Sequence, residues 1–107
     1  MVKHVRMAVI ERTEPVAGVV QLTLDRPDKL NAMTAELVQS LHDHLAAVAI
    51  DPSARVVILT GRGRGFCAGL DLGGYGTAPH TSHLGRTQTG FAVQKHIASL
   101  IPAMRSI

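Results

Sequence analysis

The chain is poor in aromatic residues and in cysteine, and both shortages limit what it can be. Tryptophan is absent, and aromatic residues make up 3% of the 107 residues against 46% hydrophobic residues. The core is therefore expected to be aliphatic. The single cysteine excludes an internal disulfide and is typical of a reducing compartment. Long apolar runs are also lacking, so we expect no signal peptide, no membrane span and a cytoplasmic location.

Carboxylates are missing from the last third of the chain, where no Asp or Glu follows Asp71. The formal net charge is +3, from 11 Lys and Arg against 8 Asp and Glu. The mildly basic C-terminal third favours a phosphorylated ligand. Nucleic acid is not an expected partner, because the sequence has neither basic clusters nor interleaved aromatic residues. The length allows one small domain.

Three segments have the composition of strands, at about residues 7–14, 19–24 and 55–60. The first two are close enough to form a hairpin through residues 15–18. Pro27 ends the second strand, because proline cannot donate to a sheet. The third segment is almost continuously apolar, which predicts a strand buried on both faces of a parallel sheet.

Two helices are predicted. The first has Thr34 as its N-cap and ends near Ile50, because leucine and valine recur at helical spacing between them. The second covers about residues 88–101, with Pro102 ending or kinking it. The segment 73–88 is rich in Gly, Thr and His, and we expect it to be a mobile loop. The order strand, strand, helix, strand indicates an α/β fold.

Seven of the ten glycines lie between residues 61 and 76. A ligand that contacts backbone N–H groups needs residues without Cβ atoms nearby, so this is the candidate functional segment. A flexible connection is the alternative. The dinucleotide fingerprint G-x-G-x-x-A occurs at Gly63, Gly65 and Ala68. Dinucleotide binding is a minor alternative, because the strand and acidic residue required about 20 residues later are missing.

The histidines and the cysteine do not form a pattern typical of a metal or nucleophile site. His42 and His44 are two residues apart on a predicted helix and face different directions. His80 and His83 have no cysteine or acid near them in sequence. We expect these four histidines to be exposed to solvent, and we expect no metal site. Cys67 is predicted to be a small buried thiol rather than a nucleophile.

Two segments resemble the signatures of the crotonase superfamily, the enoyl-CoA hydratase/isomerase family. The first is LDRPDKLNAM at residues 24–33, and the second is VVILTG at 56–61 followed by GFCAGLDL at 65–72. The two are separated by one amphipathic helix, as in the family. The resemblance covers about residues 7–72 well and the last helix loosely. It implies an α/β, crotonase-like (ClpP/crotonase) spiral of ββα units, with residues 1–107 as the N-terminal part of the domain.

The resemblance also implies a site for a coenzyme A thioester. The backbone N–H of Leu70 would be the first of two donors that stabilise the enolate oxygen, and so would act catalytically. The implied acyl-CoA site consists of Lys29, Leu30, Ala32, Ala68, Gly69, Leu70, Asp71 and Leu72. On charge and position alone, either Lys29 or Arg26 is a candidate partner for a coenzyme phosphate. The alternative, given equal weight, is that these residues lie in a turn exposed to solvent and bind no ligand.

The activity implied by the resemblance is hydration of a 2-enoyl-CoA to the 3-hydroxyacyl-CoA in fatty-acid breakdown. No cofactor is implied, because coenzyme A is part of the substrate. The family's second oxyanion donor and its acid/base carboxylates come later than these 107 residues, so we expect the N-terminal portion of an enzyme. Thioester hydrolysis, isomerisation, decarboxylation and non-catalytic acyl-CoA binding by a truncated chain stay open. The resemblance further implies a homotrimer or a dimer of trimers.

Overall fold

The computed structural model describes residues 8–107, and within them three strands form one mixed sheet accompanied by three helices. The elements in chain order are β1 Ile10–Val16, β2 Val19–Leu24, α1 Ala35–Ala49, β3 Val56–Gly61, α2 Arg86–Ala98 and α3 Leu100–Arg105. The sheet order is β1-β2-β3, with β1 antiparallel to β2 and β2 parallel to β3. This confirms the predicted α/β order. The predicted start of the first strand at Met7 lies outside the described residues.

β1 and β2 form the predicted hairpin, with Val16 opposite Val19 across the turn. The connection is shorter than the predicted one at residues 15–18, because Pro15 belongs to β1. The strand pairing is irregular between Thr13 and Val16. This irregularity accommodates a residue that has no N–H to donate to the ladder.

Helix α1 covers one face of the sheet and supplies much of the core. The Thr34 hydroxyl accepts a hydrogen bond from the Leu37 N–H at 3.2 Å, which confirms the predicted N-cap. The helix ends at Ala49, with Ile50 as its C-cap. Burying each large aliphatic side chain contributes about 1.5–3 kcal/mol. The buried core includes Ile10, Val20, Leu22, Leu24, Leu37, Val38, Leu41, Leu45, Val48 and Leu100, with Tyr75 as its aromatic member.

β3 is not buried on both faces, and that prediction is wrong. Val56 is 52% exposed and Ile58 is 41% exposed, whereas Val57 and Leu59 pack against the core. β3 is an edge strand among the described residues. Within the described residues, helix α1 covers only one side of the sheet. An apolar run therefore predicted the strand correctly but not the exposure of its second face.

The predicted helix at residues 88–101 is divided in the structure. α2 begins at Arg86, and the break before α3 lies at Ser99. Pro102 has no N–H to donate to the carbonyl group of Ala98, four residues earlier, so it interrupts the helix upstream of itself. No helix in the described part of the chain is long and apolar enough to cross a membrane.

Residues 73–85 form neither helix nor strand, and α2 begins inside the segment 73–88 that was predicted as a loop. Three of its side chains are nevertheless buried, those of Tyr75, Ala78 and Thr81. The Tyr75 carbonyl oxygen also accepts a hydrogen bond from the N–H of Ala35 at 2.7 Å. The segment is thus attached to the core at several points, and its mobility stays a prediction.

Candidate functional site

The two family-like segments begin at the same edge of the sheet. β2 and β3 are parallel, and the pairing ends with Leu24 opposite Gly61. The loops that follow the two strands therefore start side by side, at the carboxyl ends of parallel strands. The two loops are far apart in the sequence, because α1 lies between them in the chain, so the sequence alone does not reveal that they are neighbours.

Three backbone hydrogen bonds join these loops into a short parallel ladder. The Ala68 N–H donates to the Leu30 carbonyl oxygen at 3.0 Å. The Met33 N–H donates to the Gly69 carbonyl oxygen at 2.6 Å. The Met33 carbonyl oxygen in turn accepts from the Asp71 N–H at 3.0 Å. The ladder fixes the backbone of the second loop relative to the first.

Leu70 lies opposite Met33 in this ladder, but its own N–H takes no part in the pairing. The peptide between Gly69 and Leu70 is trans, so its N–H points opposite to its C=O. Because the Gly69 C=O is directed at Met33, the Leu70 N–H points away from Met33. Within residues 8–107 this N–H has no hydrogen-bond acceptor, so it is available to a ligand.

The geometry at Leu70 depends on the glycine before it. Gly69 has a φ of +101°, a region that residues with a side chain rarely adopt. A Cβ added at Gly69 would meet nothing within 4 Å. The requirement for glycine is therefore conformational and not one of space.

The ladder borders an open pocket of about 340 Å³, near the lower end of the range for small-molecule sites. It is lined by Lys29, Leu30, Ala32, Ala68, Leu70, Asp71, Leu72 and Gly73. Seven of these eight residues belong to the implied acyl-CoA site; Gly69 does not line the pocket and Gly73 is added. Leu70 and Leu72 are 44% and 104% exposed, so they give the pocket an exposed apolar part of its rim. The structure brings the residues together, and their contacts with a ligand stay predictions.

Asn31 connects the two loops through its side chain, a role that the sequence did not reveal. Its side chain is fully buried, and its Nδ2 donates to the carbonyl oxygens of Arg62 at 3.1 Å and Gly65 at 2.8 Å. Its Oδ1 accepts from the Arg26 N–H at 2.8 Å. Leu30 and Asn31 have φ values of 53° and 56°, in the left-handed region that asparagine tolerates best among residues with side chains. The available signal was a single polar residue within the otherwise apolar run at residues 30–33.

Arg26 is engaged inside the protein. Its Nη2 donates to Asp71 Oδ2 at 2.9 Å, and its Nη1 donates to the Ala32 carbonyl oxygen. The Arg26 side chain is 18% exposed and that of Asp71 is 15% exposed. The hypotheses of a phosphate partner or a solvated turn therefore do not describe Arg26. Lys29 is exposed and lines the pocket, so for it the phosphate hypothesis stays a prediction.

Hydrogen bonds stabilise the ionised form of the Asp71 carboxyl group. The Gly73 N–H donates to Asp71 Oδ1 at 2.7 Å, and this bond, followed by the bond from Arg26, holds the pKa of Asp71 below its usual range. The positive charge of Lys29 adds a smaller effect in the same direction. A carboxylate stabilised in this way is a weak base, and it is suited to structure rather than to proton transfer.

The histidines on α1 are not fully exposed, in contrast to the prediction. His42 stacks on His96 of α2 with ring centroids 5.7 Å apart, and His44 is half-buried. His80 and His83 are exposed as predicted. The prediction failed for His42 because its stacking on His96 is a long-range contact. His44 faces a different direction, and burial together with the charge of Arg12 lowers its pKa.

The metal and thiol predictions concern the histidines, the acids and Cys67. Within residues 8–107, no group of three or more His, Cys, Asp or Glu side chains could hold a metal ion. Cys67 is half-buried and packs against the core, so its burial is less complete than predicted.

Comparison with known proteins assigns this chain to a family. The sequence model of the enoyl-CoA hydratase/isomerase family matches residues 14–101. The chain is 40% identical over 82 residues to the probable enoyl-CoA hydratase echA12 of Mycobacterium bovis, covering 77% of this chain and 28% of that protein. It is 49% identical over 55 residues to the 1,2-epoxyphenylacetyl-CoA isomerase of Escherichia coli, covering 51% of this chain and 21% of that protein.

The fold agrees with these sequence matches. The crystal structure of a probable enoyl-CoA hydratase/isomerase from Mycobacterium abscessus superposes with a TM-score of 0.81 at 26% identity, covering 92% of this chain and 35% of that chain. The chain thus spans about a third or less of the length of these relatives, and its structure is a partial crotonase fold. The chain belongs to the enoyl-CoA hydratase/isomerase family.

Proposed function

We propose that the protein acts on coenzyme A thioesters as an enoyl-CoA hydratase or isomerase, with Leu70 supplying an oxyanion donor. The observation that carries this proposal is the Leu70 N–H, which has no acceptor within residues 8–107 and belongs to a residue lining the pocket. Family membership supports the same reaction class. The Gly69 conformation and the Met33 hydrogen bond hold the donor in one orientation before any ligand arrives.

The chemistry needs such a donor where charge develops. In hydration, the oxygen of water bonds to C3 of the enoyl chain as water loses a proton to a base. The π electrons of the C2=C3 bond shift toward the carbonyl group, and the thioester oxygen takes up negative charge as an enolate. A proton then reaches C2, and the carbonyl group is restored. A preorganised backbone N–H at that oxygen is worth about 10²–10³ in rate. The side chain of Leu70 is not needed for this step, which agrees with an apolar residue at the position.

Proton transfer is not assigned to Asp71. Its carboxylate lines the pocket, but Arg26 and the Gly73 N–H already use both oxygens. In this proposal the acid/base groups and the second oxyanion donor lie outside the 107 residues. The complete reaction is thus proposed for the full-length protein. For that protein we also propose a role in fatty-acid breakdown, a cytoplasmic location, and assembly as a homotrimer or a dimer of trimers.

The rest of the pocket suits the remainder of the substrate. Leu30 and Ala32 provide an apolar wall for the pantetheine arm, and exposed Lys29 can neutralise a coenzyme phosphate. No further cofactor is needed, because hydration and double-bond migration transfer only protons and water. The acyl chain length stays open.

The first test is calorimetric titration of the folded chain with a saturated acyl-CoA, with NADH as the control ligand. The expected result is saturable binding of acyl-CoA alone. NADH binding without acyl-CoA binding would instead support the dinucleotide alternative.

The second test addresses the donor in the full-length enzyme. Replacing the amide of Leu70 by an ester removes the N–H and keeps the side chain, and it should lower kcat about 10²–10³-fold. The control Leu70→Ala keeps the N–H and should retain most of the rate. Equal rates for the ester and the alanine variant would refute the oxyanion assignment.

A non-catalytic acyl-CoA-binding chain is the second candidate. The observation that favours it is the absence of any Asp or Glu after Asp71 in the sequence. It predicts that the 107 residues bind acyl-CoA but do not hydrate enoyl-CoA at any measurable rate. Turnover by the isolated chain would exclude it.

A further inference from the structure

Arg26 contacts both loops of the pocket at once. Its Nη1 donates to the carbonyl oxygen of Ala32 in the first loop, and its Nη2 donates to Asp71 in the second, at 2.9 Å. Both partners line the pocket. With 18% and 15% of the two charged side chains exposed, solvent screens this ion pair less than it screens a surface pair. The guanidinium therefore joins the two loops independently of the backbone ladder.

The guanidinium also extends from a fixed point. The Arg26 N–H donates to Asn31 Oδ1 at 2.8 Å, and the Arg26 carbonyl oxygen accepts from the Asn31 N–H at 2.9 Å. Asn31 is itself fully buried. Because hydrogen bonds hold both the N–H and the C=O group of Arg26, its guanidinium has a defined position relative to Ala32 and Asp71.

Asp71 completes the connection to the oxyanion donor. Its carboxylate accepts from Arg26 at one oxygen and from the Gly73 N–H at the other. Its own N–H donates to Met33, which is the ladder bond directly after Leu70. Holding Asp71 therefore fixes one side of the Leu70 backbone, while the bond between Met33 and Gly69 fixes the other side.

We propose that the Arg26–Asp71 ion pair is a positioning device that holds the Leu70 N–H in the direction that meets the thioester oxygen. This inference rests on the proposed function. Arg26 does not contact the reacting atoms; it acts through Asp71 and the Ala32 carbonyl group. Without the pair, the backbone around Leu70 samples more orientations, so the N–H polarises the thioester carbonyl less. Most of the pocket lining remains, so binding of the coenzyme part weakens little.

The chain contains a matched control for this pair. Arg12 donates to Asp51 Oδ2 at 3.0 Å, while Asp51 Oδ1 accepts from the Ser53 N–H at 2.9 Å. Like Asp71, Asp51 thus accepts from an arginine at one oxygen and from the N–H two residues later at the other. The Ser53 hydroxyl also donates to Asp51 Oδ1, at 2.7 Å. Neither Arg12 nor Asp51 lines the pocket, so substitutions there report general effects of losing an Arg–Asp pair.

The experiment compares R26Q, R26K, D71N and R26Q/D71N with R12Q and D51N. Each folded chain is titrated with an acyl-CoA carrying ¹³C at the thioester carbonyl, and difference infrared spectra record the carbonyl stretch. We expect a shift to lower frequency on binding to the unsubstituted chain. R26Q and D71N should each lose about half of that shift or more while Kd rises less than about fivefold. The double variant should lose no more than the worse single variant.

R26K should have an intermediate effect. Its single ammonium group keeps the positive charge, but it does not reproduce the guanidinium's planar pair of donors that contact Ala32 and Asp71 together. Its carbonyl shift should lie between those of the unsubstituted chain and R26Q. R12Q and D51N should keep the full shift. A full shift in R26Q, or an equal loss in R12Q, would overturn the positioning role.

Failure of the proposed function gives a different result. If the unsubstituted chain binds no acyl-CoA, these 107 residues do not form the proposed site by themselves, and amide hydrogen exchange then decides the positioning claim without ligand. R26Q should speed exchange of the Met33 and Asp71 amides about tenfold or more, and R12Q should leave both unchanged. Unchanged exchange in R26Q would overturn the inference.

Discussion

The side-chain amide of Asn31 donates to the carbonyl oxygen of Gly65 at 2.8 Å, and this bond joins the turn after β2 to the loop after β3. The two residues are 34 positions apart in sequence. The same amide nitrogen also donates to the Arg62 carbonyl oxygen. One buried side chain thus determines how closely the two halves of the pocket approach each other.

Replacing Asn31 should destabilise the chain in a graded way. Asn31→Ala leaves the partners of three hydrogen bonds unsatisfied, which costs about 1–3 kcal/mol for each buried group that water does not reach. Asn31→Asp should cost more, because it places a carboxylate oxygen against two carbonyl oxygens. Urea unfolding measures both variants. Equal stability of the alanine and aspartate variants would show that the donated bonds contribute little.

Gly61 should tolerate no side chain, because the loop after β3 folds back onto it. An added Cβ would lie 2.5 Å from the Phe66 carbonyl oxygen and 2.7 Å from Asn31 Nδ2. Gly61→Ala should therefore cost about 1–3 kcal/mol, the usual range for overpacking. The control is Gly90→Ala in α2, where a Cβ meets nothing within 4 Å and should stabilise the helix by about 0.5–1 kcal/mol. Equal unfolding midpoints for the two variants would contradict this account.

Gly69 and Gly74 form a second matched pair, now for function. Both have a positive φ, +101° and +125°, and a Cβ at either position meets nothing within 4 Å. Alanine at either position should cost a similar free energy of unfolding, about 1–2 kcal/mol. Only Gly69→Ala changes the peptide that carries the Leu70 N–H, so only this variant should lose the infrared shift of a bound thioester carbonyl. A loss of the same size in Gly74→Ala would indicate a general loosening of the loop.

Stability should fall as the solution becomes mildly acidic, because His96 is neutral in the folded chain. Burial, then the adjacent ring of His42, lowers the pKa of His96. The Tyr75 hydroxyl lies 2.7 Å from His96 Nδ1, and burial raises the pKa of Tyr75 to about 12, so this hydroxyl stays protonated and can donate to a neutral imidazole at Nδ1. Gln39 Oε1 lies 3.2 Å from Nε2 and accepts from it. These contacts select the neutral imidazole.

The direction in which stability changes with pH follows from the protons bound by the folded and unfolded chains. The unfolded chain protonates His96 near pH 6.5, above the folded value, so stability is lost as pH falls below about 6.5 toward the folded pKa. His44 contributes in the same direction, because burial and then Arg12 lower its pKa. Urea unfolding between about pH 7.5 and pH 5.5 tests this slope. His96→Asn and His44→Gln should each flatten it; an unchanged slope in both variants would contradict the assignment.

The local elements were predictable because their signals are local. The side chain of Thr34 caps α1, and the apolar spacing behind it defines the buried face. The boundaries of β2 and β3 match the predicted segments to within a residue. The exposed face of β3 was not predictable, since an apolar run does not state what covers each side of a strand. The division of the last helix at Ser99 depended on how far upstream Pro102 acts.

The site was predictable in its residues but not in its connections. The resemblance selected seven of the residues that line the pocket. It gave Asn31 no role. Charge and position alone suggested a ligand contact for Arg26, whereas the structure pairs Arg26 with a carboxylate 45 positions away. Contacts over such distances depend on the parallel pairing of β2 and β3, which places two separate loops at one edge of the sheet.

At Leu30, stability of the folded chain and the apolar lining of the pocket make opposite demands on the residue. Its left-handed backbone, with φ at 53°, costs about 1 kcal/mol or more for a residue with a side chain. Leu30→Gly relieves that cost but removes an apolar part of the pocket lining. Engineering this chain for heat resistance alone would therefore select a glycine here and remove part of the surface that we propose for thioester binding.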